Sequence, residues 1–145
     1  MDVLGLDGER VAAGGGDPCG LGEQAEDAVK IANKAKIVMI TDGEMETLAR
    51  AVNGSYVGAS KLLHFINPEV YAIWDSRVYR YLYDEPPYQY RLESMEKYRE
   101  YLGLISDIKN DSRCQKLIQK VEHNIHYNPS HMRVIELVMY LCGSK

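Results

Sequence analysis

The sequence predicts an all-α domain. Apolar residues recur at i, i+3, i+4 and i+7 in one segment after another, and residues that start or stop helices bracket those segments. No internal repeat and no convincing alternating strand interrupts the series. The 145 residues are 46% hydrophobic and 26% charged, which suits one domain able to bury a core without staples.

Residues 1–22 contain Gly5, Gly8, Gly14, Gly15, Gly16, Gly20 and Gly22 with Pro18 among them, so a flexible segment is expected there. The Gly14-Gly15-Gly16 run lacks the GxxxxGK[ST] pattern and is not read as a phosphate loop. The domain proper is expected over 23–145. Its first helix, 23–36, carries Ala25, Ala28, Val29 and Ala32 on one face. Ile37-Val38-Met39-Ile40 fits either a strand or a buried connector. Thr41 and Glu44 form a capping box, followed by the stripe Met45, Leu48, Ala49, Val52. Asn53-Gly54 ends that helix, because both residues tolerate positive φ.

The next helix has Ala59, Leu62, Leu63 and Ile66 on its apolar face. Asn67-Pro68 breaks it, and Asn67 is expected to cap a short turn with Pro68 at the first position. Asp75-Ser76 caps a helix running to about Tyr83 that buries Val78, Tyr79 and Leu82. Asp84-Glu85-Pro86-Pro87 is a break. Two amphipathic helices follow: 92–108, with Met95, Tyr98, Leu102 and Ile105 inward, and 112–124, with Cys114, Leu117, Ile118 and Val121 inward. Asn128-Pro129-Ser130 opens the last helix, whose Val134, Ile135, Val138 and Leu141 are expected inward, and Gly143 stops it.

Composition excludes several function classes. No apolar run is long enough to span a bilayer, and no basic-then-apolar leader follows Met1, so the expectation is a cytoplasmic protein with no membrane partner. Cys19, Cys114 and Cys142 show no CxxC or Cys/His spacing, and His123, His126 and His131 form no ligand pattern. Neither zinc nor an iron–sulfur cluster is expected, nor any other cofactor. Net charge is −4, which argues mildly against strong nonspecific nucleic-acid binding. The acidity is local: residues 1–52 carry ten acidic and five basic side chains, whereas 53–83 carry two acidic and three basic. Nothing in the sequence sets an oligomeric state.

The stretch from Asn53 to Val78 has the strongest chemical pattern. A tight turn between two helices lets backbone N–H groups approach a phosphate, aided by the positive end of the second helix. Asn53 and Gly54 supply the turn, and Ser55, Tyr56, Gly58 and Ser60 complete a candidate DNA clamp, with Arg77 downstream as a phosphate contact. The same residues also build an ordinary helix–helix turn. Asp75 opens the following helix as a cap or as a reacting carboxylate.

Hairpin, alanine, apolar helix and aspartate in one ungapped frame resemble the helix-hairpin-helix superfamily of base-excision DNA glycosylases. Asn53-Gly54-Ser55 takes the place of the family's Gly-x-Gly, Ala59 that of its alanine, and Asp75 that of its catalytic aspartate. The resemblance covers residues 41–83. It implies DNA as partner, and a carboxylate at Asp75 that assists base loss by stabilising positive charge on the sugar or by activating water. The lysine that forms a Schiff base in bifunctional members is replaced by Val57. Lys61, one turn further along that face, is the substitute candidate, or else a solvated or phosphate-contacting lysine. Trp74 and Tyr71 are candidate pocket walls, since aromatics near a flipped base can stack on it; the alternative is core. His64, between Leu63 and Phe65, reads as a core histidine.

The expected function is therefore a small, monofunctional DNA glycosylase-like protein of base excision repair. The alternatives are a non-catalytic helix-hairpin-helix DNA-binding module and a helical protein–protein interaction domain of the same ancestry.

Overall fold

The computed structural model describes residues 21–143. The flexible stretch expected over 1–22 lies outside the described residues, except for Leu21 and Gly22, which open the first helix. Among the described residues the chain forms α1 (Leu21–Ala35), α2 (Asp42–Ala51), α3 (Tyr56–Ile66), α4 (Ser76–Tyr83), α5 (Gln89–Leu92), α6 (Met95–Asn110), α7 (Ser112–Asn124) and α8 (His131–Cys142), and no strand. None of these helices is long and apolar enough to cross a membrane.

Local chemistry fixes most of the boundaries. Both halves of the capping box are present at α2: Glu44 N–H donates to Thr41 Oγ1, and Thr41 N–H donates to Glu44 Oε2. Ser55, Ser94, Asp111 and Ser130 cap α3, α6, α7 and α8 in the same manner, each accepting a backbone N–H from the first turn. Asn53 (φ 58°) and Gly54 (φ 66°) both adopt the left-handed conformation between α2 and α3.

Several expectations are corrected. Ile37–Ile40 is neither strand nor uniformly buried: Ile40 is in the core while Ile37 is 82% exposed. The turn after α3 forms, with Asn67 C=O accepting from Val70 and Tyr71 N–H. The Asn67 side chain, however, donates to the carbonyls of Ala35 and Lys36 and so closes the end of α1. The helix expected over 92–108 forms as α6, Met95–Asn110; Ser94 caps it, and a separate short helix, α5, precedes it and ends at Leu92. Of the α7 residues expected inward only Ile118 is buried, and Leu117 is exposed, because α7 lies at the edge of the fold. On α8 the buried set is Met132, Val134, Ile135, Glu136 and Met139, with Leu141 facing out.

The core gathers around Trp74, Tyr71, Tyr79, Tyr98 and Tyr101, packed with Ile40, Met45, Leu48, Leu63 and Ile105. Burying an aliphatic side chain such as Leu48 or Leu63 contributes about 1.5–3 kcal/mol. Residues 71–75 run through this core without helix or strand, so side chains must satisfy their backbone groups. His64 Nδ1 donates to Tyr71 C=O (2.8 Å), Tyr98 OH to Ala72 C=O (3.1 Å) and Tyr101 OH to Ile73 C=O (2.8 Å). Trp74 N–H donates to Ser60 Oγ at 2.9 Å. Where α8 ends against α4, a Cβ on Gly143 would lie 1.9 Å from the Arg77 carbonyl oxygen. Only glycine fits that approach.

Candidate functional site

The α2–α3 turn presents the residues expected to clamp DNA, and each has a definite place. Asn53 and Gly54 are exposed at its tip. Ser55 Oγ accepts from Gly58 N–H (3.0 Å) and donates to Glu93 Oε1 (3.1 Å). Tyr56 N–H donates to Glu93 Oε2 at 2.5 Å. The carboxylate of Glu93, just after α5, therefore sits on the positive end of α3, where an anion is favoured. Ser60 is fully buried, and its hydroxyl bonds Val57 C=O and the backbone of Trp74. That placement removes Ser60 from any direct contact with a strand.

Trp74 and Tyr71 are likewise core residues rather than pocket walls, both with no exposed surface. The Trp74 indole N–H donates to Leu92 C=O at 2.8 Å, and its ring meets Tyr79 edge-on at 5.9 Å. Tyr71 OH accepts from Ile40 N–H and donates to Val38 C=O. Burial leaves no face of either ring open for stacking.

Asp75 follows directly. Its Oδ1 accepts from both Arg77 and Val78 N–H at 2.9 Å, capping α4. Among the described residues its Oδ2 takes no hydrogen bond. Asp75 lines a cavity of about 290 Å³ with Lys61 from α3, Ile73, and Arg133, Glu136 and Tyr140 from α8. The two candidate catalytic residues, both from the Asn53–Val78 stretch, thus share one cavity. Lys61 is exposed and forms no ion pair among the described residues. Arg77 lies at the edge, its guanidinium 4.4 Å above the Tyr140 ring.

The α8 side chains had no sequence-based nomination. Glu136 is only 1% exposed and is paired with Arg133 three residues earlier on the same helix. Burial pushes its carboxyl above the usual range, Arg133 opposes that shift, and the charge of Asp75 adds to it. Burial likewise raises the Tyr101 hydroxyl, with Glu136 and Asp75 contributing. One signal for Glu136 was legible: it stands on the stripe Met132, Ile135, Glu136, Met139, where an apolar residue is the rule.

Among the described residues the arrangement offers a carboxylate with one oxygen outside any hydrogen bond, a second buried carboxylate, two cations and a phenol around a space at the small end of ligand-sized cavities, which run from roughly 300 Å³ upward. Among the described residues no group of His, Cys, Asp and Glu gathers in a manner that could hold a metal ion. No protein-family model, no curated protein and no solved structure matches this chain.

Proposed function

We propose that the chain is a DNA glycosylase-like protein whose reacting carboxylate is Asp75, with the α2–α3 turn acting as a helix-hairpin-helix contact to the strand. The supporting observation is the meeting of Asp75 and Lys61 at one cavity, with Asp75 Oδ2 taking no hydrogen bond among the described residues. In this reading a nucleotide turned out of the stack enters the cavity. As the bond from C1′ to the base breaks, positive charge grows on the sugar, and the fixed carboxylate of Asp75 stabilises it or takes a proton from the attacking water. The backbone N–H groups that hold Oδ1 set its position in advance. With Val57 at the family's Schiff-base position, the chemistry is monofunctional, and Lys61 serves as a cation beside the reacting centre.

One observation favours the alternative reading, a non-catalytic module. The Glu93 carboxylate occupies the α3 amides that a phosphate would use, so a strand must either displace it or bind through Asn53 and Gly54 alone. Base release from a panel of damaged duplexes separates the readings. Release that is lost in Asp75→Asn, with duplex binding retained, supports the enzyme. Binding without release on any substrate selects the module, and no binding at low salt removes both.

A further inference from the structure

Two cations and two carboxylates share the cavity beside Asp75. Lys61 and Arg133 line it, and Arg77 stands at its edge over Tyr140. Within the lining, Lys61 and Arg133 are matched by the carboxylates of Asp75 and Glu136. Glu136 is committed to Arg133, since a carboxylate buried so fully is costly to leave without its partner. The pair fixes the guanidinium in one pose on α8. The Arg133 side chain nevertheless stays 29% exposed, and a guanidinium has five N–H donors in a planar fork, more than its bonds to Glu136 and Tyr127 consume.

Lys61 adds a second, exposed cation from α3 to the lining that α8 supplies. A sphere of about 290 Å³ is roughly 8 Å across, so both side chains can reach one small anion. A fixed fork plus an ammonium group matches an anion with several oxygens in different directions, which is phosphate. We propose that Arg133 and Lys61 form a phosphate-binding subsite at this cavity, with Glu136 as the positioning residue that fixes the Arg133 fork. The inference rests on the glycosylase reading for the source of that phosphate, the backbone of the nucleotide whose sugar faces Asp75.

The subsite is tested by titrating the full chain with inorganic phosphate at constant ionic strength, following by NMR the backbone amide signals of the cavity residues Lys61, Ile73 and Glu136. A saturable shift is expected with phosphate and none with chloride. Lys61→Met and Arg133→Lys should each weaken the apparent affinity about tenfold, because one loses the ammonium and the other the fork. Glu136→Gln should weaken it several-fold alone and have no further effect in the Arg133→Lys background. If the α8 variants fail to fold, Lys61→Met, at an exposed position, still decides. No saturable shift, or one indifferent to Lys61→Met, overturns the subsite. On duplex DNA, Lys61→Met should reduce the slope of log affinity against log salt by about 0.9. Phosphate binding without base release keeps the subsite and removes the enzyme; base release without phosphate binding does the reverse.

Discussion

Asp75 has two jobs in this reading, and substitution can pull them apart. Its Oδ1 accepts two backbone N–H groups at 2.9 Å, which makes it the cap of α4 whatever else it does. Asp75→Ala removes both bonds and should cost about 1 kcal/mol, within the range of about 0.5–2 for cap removal. For a chain of this length that lowers Tm by about 3–5 °C. Asp75→Asn keeps an oxygen in the same place, and asparagine caps as well as aspartate. What it loses is the charge at the helix start, worth about 0.3–1 kcal/mol. Part of that is returned, because the Asp75 charge disfavours the ionised form of the buried Glu136. Asp75→Asn should therefore unfold within a few tenths of a kcal/mol of the parent in urea, with an unchanged m-value. Base release in the same protein should fall at least a hundredfold, the scale on which removing one transition-state group acts, roughly 10²–10³. If Asp75→Asn is as unstable as Asp75→Ala, the cap geometry is wrong; if it is stable and active, the catalytic assignment is wrong.

Gly143→Ala forces a Cβ to within 1.9 Å of a backbone oxygen, so α8 must move away from α4; a loss of about 1–3 kcal/mol is expected in urea unfolding, and a neutral result would mean the two helices are not so close. Tyr101→Phe leaves the Ile73 carbonyl without its donor at the residue two before Asp75, which should cost about 1–3 kcal/mol by the same measurement; a value near zero would show that another donor serves that carbonyl. Glu93→Gln keeps an acceptor for Tyr56 N–H but removes the charge a phosphate must compete with. Duplex affinity by fluorescence anisotropy should rise several-fold, and unchanged or weaker binding would show that the turn is not the contact. Burial lowers the His64 pKa, against the bond to Tyr71 C=O that raises it, so the folded state prefers the neutral ring. Its contribution is present above about pH 6.5 and is lost as pH falls through the lowered value; a falling urea midpoint between pH 7.5 and 5.5 should flatten in His64→Gln, and an unaltered slope would assign the titration elsewhere.

Much of the fold was legible because its signals are local. The Thr41–Glu44 box, Asn53-Gly54 and Asp75 each act within four residues, so the starts of α2 and α4 and the turn before α3 fall where their caps stand. The division between α5 and α6 was hidden, because Ser94 sits in a polar run with no apolar period to interrupt. Leu117 and Leu141 faced the wrong way for a different reason: periodicity defines a stripe, but only the neighbouring helices decide how wide a stripe is covered. In the site, Asp75 and Lys61 were visible because they belong to one stretch of chain. Arg133, Glu136 and Tyr140 were not, because α8 reaches the cavity only through tertiary packing on α4. Ser60, Trp74 and Tyr71 show the converse error, since a motif gives the order of residues but not which side of the backbone is sealed.

Two of the eleven tyrosines serve the segment that delivers Asp75 to the cavity. A segment running through a core outside any sheet or helix leaves each N–H and C=O unpaired, at a cost of about 1–3 kcal/mol per group. Phenylalanine would fill the same space around residues 71–75 and leave those groups orphaned. Tyrosine fills it and carries a donor, and Tyr98 and Tyr101 use theirs on the carbonyls of Ala72 and Ile73. Ser60 from α3 holds Trp74 by its backbone, and the Trp74 indole holds Leu92, one residue before the glutamate that reaches the α3 start. The turn, α5 and the Trp74–Asp75 corner are therefore tied into one hydrogen-bonded frame. Asp75 stands at its exit, where the buried segment meets the cavity. Burial alone requires these backbone groups to be paired, and the consequence for Asp75 is a fixed position at the cavity.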